Sequence, residues 1–160
     1  MRKRIQLLLT PIILLVCFMA SMACVSAENA EKIVDGSKLT QELQAEGIAY
    51  PTLRGTYLDH GAGRITVTGS RQVMITGDTV ARQNVDSVKV TLHLQQLKGE
   101  NWVTIASYGP TVKYNTYYIS TSRTYSVAGG YYYRMTGSHT VIENGKFESA
   151  ASATNGVWVS

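Results

Sequence analysis

Residues 88–105 read VKVTLHLQQLKGENWVTI. In the first half of this stretch an apolar side chain occupies every second position: Val88, Val90, Leu92 and Leu94. Because successive side chains of a β-strand point to opposite faces, this period of two predicts a strand with one buried face. The segment KGEN at 98–101 has the composition of a glycine-containing turn, and a second strand-like run begins at Trp102. We therefore predict a β-hairpin over residues 86–108.

The chain from residue 52 onward continues this strand-like pattern, with turn segments at 109–110, 128–130 and 143–145. Valine, isoleucine, threonine and tyrosine are abundant and leucine is scarce, which favours strands over helices. About seven strands separated by turns are typical of an all-β protein. We predict a single antiparallel β-sandwich over this part of the chain. No long helical pattern alternates with the strands, which excludes a parallel α/β sheet.

Residues 28–51 differ from this pattern. Leu39 and Leu43 are four positions apart, and Gly47 is suited to ending a helix. We therefore predict a short helical or irregular N-terminal extension at 28–51. The predicted domain organisation is a signal peptide at 1–27, this extension, and a β-sandwich domain at 52–160.

The first 27 residues have the composition of a secretory signal peptide. Basic residues at 2–4 precede an apolar run at 5–23, and Val25-Ser26-Ala27 supplies a small-residue site for cleavage after Ala27. The expected product is a secreted, extracellular protein. Two alternatives stay open. The apolar run is long enough to remain as an N-terminal membrane anchor, and Cys24 offers a site for lipid attachment.

Cleavage after Ala27 would change the charge and the thiol content. Three of the 15 Lys and Arg residues lie in the leader, which leaves twelve against eleven Asp and Glu. Both cysteines are also removed, so no disulfide or thiolate metal site is expected. A nearly neutral chain has no electrostatic attraction to nucleic acid or to an anionic membrane, and we expect neither as a partner.

Two segments resemble immunoglobulin-like and fibronectin-type domains. They are the hairpin at 88–105 and the run GYYYRMT at 130–136. The resemblance implies that Tyr131, Tyr133 and Met135 point into the core. It also implies that Tyr131 is the tyrosine-corner residue, whose hydroxyl binds an upstream backbone group.

A broader resemblance covers nearly the whole chain after the leader. Its motifs are DGS at 35–37, RGTYL at 54–58, YYYR at 131–134, His139, ES at 148–149 and NGVW at 155–158. Together with the hairpin, they resemble a family of small secreted proteins of Gram-positive, largely gut-dwelling bacteria. That family has no assigned activity, so the resemblance implies membership and transfers no catalytic residue.

The sequence does not favour an enzyme. Asp59 and His60 are neighbours, and adjacent side chains on an extended chain point apart, so we expect no catalytic dyad there. The few carboxylates after residue 52 sit mostly at turns, which disfavours a paired-acid glycosidase. His93 and His139 have no evident set of converging metal ligands, and no nucleophile elbow or phosphate-binding loop occurs. We expect no catalytic residue, no metal and no cofactor.

The candidate binding residues form two groups. The first is expected on one outward face of a strand pair and comprises His93, Gln95, Tyr132 and Arg134. The second is a tyrosine-rich segment with Tyr114, Tyr117 and Tyr118. Tyrosine offers a large contact area with few rotatable bonds. We therefore predict a monomeric extracellular binding module for a protein or glycan. The alternative is a structural or antimicrobial-type effector, and an extracellular hydrolase is less favoured.

Overall fold

The computed structural model describes residues 32–52 and 55–160. These residues form nine β-strands and no helix: β1 Ile33–Val34, β2 Ser37–Thr40, β3 Gln44–Ala49, β4 Leu58–Gly69, β5 Gln72–Lys98, β6 Asn101–Ser126, β7 Tyr131–Glu143, β8 Lys146–Ala153 and β9 Gly156–Val159. The predicted all-β class is confirmed. In the described ranges no helix is long and apolar enough to cross a bilayer. The predicted signal peptide, its cleavage site at Ala27 and Cys24 lie outside them.

All nine strands belong to one hydrogen-bonded sheet. The order is β1-β2-β9-β7-β5-β4-β3, with β6 bound to β5 and β8 bound to β7. Every pairing is antiparallel except that of β2 with β9, which is parallel and joins Leu39 to Gly156. The sheet is open and curls over itself, whereas the predicted immunoglobulin-like sandwich requires two separate sheets.

The curl is produced by the β5–β6 hairpin, whose strands are 27 and 26 residues long. The first half of β5 pairs with β4 and the second half pairs with β7. Between them, the register with β6 is broken from Val80 to Val85. The two halves of β5 then face each other across the curl. Gly77 in the first half lies so close to Leu92 in the second half that an added Cβ atom would overlap with the Leu92 side chain.

A row of glycines allows the curled sheet to close tightly. Gly47, Gly63 and Gly77 lie directly opposite one another on β3, β4 and β5. A Cβ atom at Gly63 would lie 2.5 Å from the sulfur of Met135 on β7, and one at Gly47 would overlap with the backbone of Ala153 on β8. The missing side chains therefore let β3–β5 approach β7 and β8 closely.

The core lies inside this curl, within the compact unit Glu31–Ser160. The predicted inward residues of the hairpin, Val88, Val90, Leu92 and Leu94, are fully buried. They pack with side chains from both sides of the curl, including Ile65, Ile75, Tyr133, Met135 and Val157. Complete burial of one such side chain stabilises the fold by about 1.5–3 kcal/mol. The period-two interpretation of the hairpin is confirmed.

The predicted helix at the N-terminal end is wrong. Residues 33–49 form strands β1 to β3 of the same sheet, and the Leu39–Leu43 spacing does not mark a helical turn. The reason is tertiary: β2 finds its hydrogen-bonding partner in β9, more than a hundred residues later. Gly109-Pro110 is likewise not a strand end, because β6 continues through it to Ser126.

The tyrosine-corner assignment is wrong by two residues. Tyr131 is 42% exposed, so it does not point into the core, whereas Tyr133 is fully buried. The hydroxyl of Tyr133 donates a 2.7 Å hydrogen bond to the backbone oxygen of Ala128. It also accepts one from Nε2 of Gln96 at 3.0 Å. Tyr133 therefore has the two properties expected of Tyr131: a buried ring and a hydroxyl bonded upstream.

Candidate functional site

The first candidate group is in register as expected, but it is not one exposed patch. Gln95 lies opposite Arg134, and Nε of Arg134 donates to Oε1 of Gln95 at 2.7 Å. His93 instead contacts Oγ of Ser107 on β6, at 2.8 Å. Tyr132 packs edge-on against Trp158, with ring centres 5.0 Å apart, and its hydroxyl accepts a bond from the side chain of Gln41. The structure joins Gln95 to Arg134 by a hydrogen bond, whereas His93 and Tyr132 contact other partners.

Arg134 lies on the sheet face opposite the core, as expected, but it is buried there, with only 5% of its surface exposed. Its Nη1 donates to the backbone oxygen of Asp35 at 3.0 Å and to Oγ of Ser37 at 2.8 Å. Its Nη2 donates to Oδ2 of Asp35 at 2.7 Å. Arg134 is not exposed as part of an outward patch, because the segment between β1 and β2 covers this part of the sheet.

Trp102 completes this buried cluster. The guanidinium of Arg134 lies over the Trp102 ring, and the indole nitrogen donates to the backbone oxygen of Val34 at 3.0 Å. Arg134 and Trp102 together hold residues 34–37 against the sheet. The Arg134 guanidinium is fully engaged by these contacts within the chain, so the cluster stabilises the fold.

The second candidate group is exposed. The exposed fractions are 70% for Tyr114, 57% for Tyr117 and 39% for Tyr118. These tyrosines flank the register break of the hairpin, where Thr116 pairs with Val85 and Tyr118 pairs with Val80. The intervening β5 residues 82–84 are exposed as well. The bend of the hairpin therefore brings aromatic and polar side chains to the surface together.

Asp78 is a member of this surface that the sequence did not reveal. The hydroxyl of Tyr118 donates to Oδ1 of Asp78 at 2.8 Å. The two residues are 40 positions apart and lie on neighbouring strands. Only the register of β5 with β6 brings them together. The bond fixes the direction of the Tyr118 ring and leaves a carboxylate beside it.

His139 forms a buried polar cluster with Thr79 and Ser152. Its ring nitrogens lie 3.0 Å from Oγ1 of Thr79 and 2.8 Å from Oγ of Ser152. The Thr79 hydroxyl donates to the backbone oxygen of Lys89, so Nδ1–H of His139 donates to Thr79 and Nε2 accepts from Ser152. This neutral form is favoured by burial, which lowers the pKa of His139 to about 4.

A hydroxyl hydrogen-bonded to a histidine also occurs in hydrolases. Here His139 is fully buried and Ser152 is 3% exposed, so a substrate has no access to the serine oxygen. All hydrogen-bonding atoms of this cluster are satisfied within the core. The arrangement therefore stabilises a polar core and has no catalytic geometry.

Asp59 and His60 do contact each other, contrary to the sequence expectation. Oδ2 of Asp59 lies 2.8 Å from Nδ1 of His60, and Oδ1 lies 3.8 Å from Nε of Arg82. A register shift between Leu58 and His60 disrupts the strict alternation of side chains, which explains the contact. No serine, threonine or cysteine of residues 32–52 and 55–160 bonds to the imidazole, so the pair lacks a nucleophile.

Glu148 binds the start of β4 through three backbone donors. Oε1 accepts from the N–H of Thr56 at 2.7 Å, and Oε2 accepts from those of Tyr57 and Leu58 at 3.0 and 2.7 Å. Burial acts to raise the pKa of Glu148, but these bonds and the charge of Arg82 outweigh it and lower the pKa. Glu148 therefore fixes the chain segment that leads into β4.

The described residues also form a polar depression, and no metal centre is evident among them. A polar depression of about 220 Å³ is lined by seven residues of β2, β3 and their surroundings, among them Glu42, Glu46 and Asn155. It is smaller than the usual range for small-molecule sites. No three His, Cys, Asp or Glu side chains in the described part of the chain are grouped to hold a metal ion.

A protein-family model matches residues 20–157. The chain belongs to DUF6147, a family of unknown function. The match fits the resemblance to uncharacterised proteins and supplies no activity. No curated protein and no solved structure matches the chain.

The motif residues of this DUF6147 chain contact one another in the structure. Arg134 binds Asp35 and Ser37, and Glu148 binds the segment at 56–58. Asn155 accepts a bond from the backbone of Lys38, and Trp158 packs on Tyr132. These motifs therefore join distant segments of the sheet. The exposed tyrosine segment at 114–118 lies outside them.

Proposed function

We propose that this DUF6147 protein is a secreted, non-catalytic module that binds a glycan through its tyrosine surface. The tyrosine surface comprises Tyr114, Tyr117, Tyr118 and Asp78. One observation carries the proposal: three tyrosines are exposed at the bend of the hairpin, and one of them is held by a carboxylate. The secretion part of the proposal rests on the leader-like composition of residues 1–27.

A glycan suits the chemistry of this surface. The exposed faces of Tyr114 and Tyr117 can stack on the C–H faces of a sugar ring, and the Asp78 carboxylate can accept bonds from sugar hydroxyls. The chain after the leader is nearly neutral, which does not favour an anionic membrane or a nucleic acid. Stacking at a site already ordered by the Tyr118–Asp78 bond loses little side-chain entropy on binding.

A non-catalytic role agrees with the histidine clusters. His139 and Ser152 are enclosed, and the Asp59–His60 pair bonds to no nucleophile among the described residues. The tyrosine surface therefore has side chains that can contact a ligand and no evident catalytic group that would react with it.

The test is a glycan array together with attachment to bacterial and host cells. The double variant Tyr114→Ser/Tyr117→Ser removes two exposed rings and should abolish attachment while the melting temperature changes by a few degrees at most. Phe147→Ser is the matched control, because Phe147 is an exposed aromatic on β8 with 67% of its surface accessible, close to the 70% of Tyr114. It should bind like the native chain.

Asp78→Asn tests the carboxylate separately, since it keeps the size of the side chain and removes the charge. We expect weaker glycan binding than in the native chain. Retained binding in the double tyrosine variant, or equal loss in Phe147→Ser, would overturn the assignment of the surface. Turnover of any substrate on a hydrolase panel would overturn the non-catalytic assignment.

A further inference from the structure

The outer edge of β6 is long and lacks a strand partner among the described residues. β6 pairs with β5 along one edge only. In an antiparallel sheet, every second residue of an edge strand directs its N–H and C=O groups away from the sheet. Such groups are a template for another extended chain, so this edge is a potential site of strand addition.

The regular part of this edge is the segment 118–126, YISTSRTYS. It pairs with residues 72–80 of β5 without a register break. The earlier part of β6 is interrupted by Pro110 and by Asn115, whose φ of 49° is left-handed. Segment 118–126 contains no proline or glycine and one charged residue, Arg123. It therefore offers nine consecutive residues of uninterrupted, strand-favouring edge.

We propose that this edge pairs antiparallel with the same edge of a second copy of the chain, which joins two sheets into one. This inference goes beyond the proposed glycan binding. A two-fold axis perpendicular to the joined sheet keeps the outer face of each copy on the same side. It therefore pairs residues of like face and passes midway between the two copies of one residue. Only an axis midway between the two copies of Ser122 uses all nine residues of the segment.

The side chains are self-complementary in this register. On the inner face, Ile119 of each copy lies opposite Tyr125 of the other copy, which gives two pairs of a β-branched and an aromatic side chain. On the outer face, Ser120 lies opposite Thr124, which gives two hydroxyl pairs. Both pair types stabilise antiparallel strands.

The register also avoids charge repulsion between directly opposed residues. Arg123 of each copy lies opposite Thr121 of the other copy. The Arg123 guanidinium is already held over the Tyr108 ring of its own chain, 5.5 Å from the ring centre. This self-complementarity favours a second copy over an unrelated strand as the occupant.

Sedimentation equilibrium of the protein, purified from a host that expresses the full chain, tests the proposal. We expect a dimer at micromolar to millimolar concentrations. Ser122→Lys places two lysines opposite each other at the axis and should weaken dimerisation by at least roughly tenfold. Ser149→Lys makes the same change at an exposed position on β8 and should leave the dimer intact.

A charge-swap mixture gives an independent readout. Ser122→Lys and Ser122→Glu copies should each be mainly monomeric and should form a heterodimer when mixed. Ser122→Asp, which places two carboxylates opposite each other at the axis, is the second disruptive variant if Ser122→Lys does not fold, as judged by circular dichroism. A native chain that stays monomeric throughout, or equal dimerisation of Ser122→Lys and Ser149→Lys, would overturn the proposal. Tyr118 belongs to both the tyrosine surface and this edge, and none of these variants changes it. Glycan binding is tested separately by the Tyr114 and Tyr117 variants.

Discussion

The guanidinium carbon of Arg134 lies 4.7 Å from the centre of the Trp102 ring. The same guanidinium donates hydrogen bonds to Asp35, Ser37 and Gln95. One planar cation therefore stacks on β6, bonds to β5 and holds the segment between β1 and β2. Lysine cannot reproduce this geometry, because its ammonium is a compact point charge without a planar fork.

Arg134→Lys should accordingly lower the free energy of unfolding by about 2–3 kcal/mol, since hydrogen bonds to a buried charge are lost. Urea denaturation measures the change. Arg123→Lys is the matched control, because Arg123 also lies over an aromatic ring, that of Tyr108, but is exposed. Its cost should stay within about 0.5 kcal/mol. Similar costs for the two variants would show that the Arg134 cluster does not fasten the fold.

His139 predicts a loss of stability in mild acid. Burial holds its folded-state pKa at about 4, whereas the unfolded value is 6.5. Between these values the unfolded chain binds a proton at His139 and the folded chain does not. The free energy of unfolding should therefore be highest above pH 6.5 and should fall by about 3 kcal/mol as the pH approaches 4.

The measurement is urea denaturation at a series of pH values for the native chain and two variants. His139→Gln should remove this part of the pH dependence, although its stability at pH 7 will be lower. His93→Gln, which changes a half-buried histidine on the outer sheet face, should retain the decline. An unchanged slope in His139→Gln would assign the decline to another group.

Glu148 predicts a separate acid effect. Its pKa is lowered in the folded state, so its contribution is present above pH 4.5 and is lost as the pH falls through the folded pKa. Glu148→Gln should cost about 1–3 kcal/mol at pH 7, because three backbone donors lose a charged acceptor. Glu100→Gln is the control, since Glu100 is 84% exposed, and its cost should be within about 0.5 kcal/mol.

The tight closure of the curl predicts that one added methyl group at Gly61 of β4 will disrupt it. A Cβ atom at Gly61 would overlap with the imidazole of His139, which is locked between Thr79 and Ser152. Gly61→Ala should therefore cost about 1–3 kcal/mol or prevent folding. Gly69→Ala is the matched control on the same strand, because nothing lies within 4 Å of its Cβ position. Thermal unfolding of both variants makes the comparison, and equal melting temperatures would contradict the tight closure.

The strands of the hairpin were predictable from the sequence because their signal is local. The alternation of Val88, Val90, Leu92 and Leu94 with polar residues reports directly which face is buried. The turns at 98–101 and 143–145 carry glycine where the backbone has positive φ, at Gly99 and Gly145. Each of these features depends on residues close together in the chain.

The parts that the sequence did not predict depend on distant partners. The Leu39–Leu43 spacing resembles a helix, but β9 supplies the hydrogen bonds that make residues 37–40 a strand. The alternation placed Arg134 correctly on the face opposite the core, but it did not show that residues 35–37 cover that face. The choice between Tyr131 and Tyr133 likewise depended on the path of the chain at Ala128.

The candidate site likewise has one part that the sequence predicted and one part that only the structure shows. The sequence alone marked Tyr114, Tyr117 and Tyr118 as an unusual aromatic segment, because clustering along the chain is visible in one dimension. It did not show that Asp78 accepts a bond from Tyr118, because that contact is set by the register of two strands. Local alternation determined which side chains point inward. Only the curl of the sheet decided which outward side chains are covered and which remain exposed to a ligand.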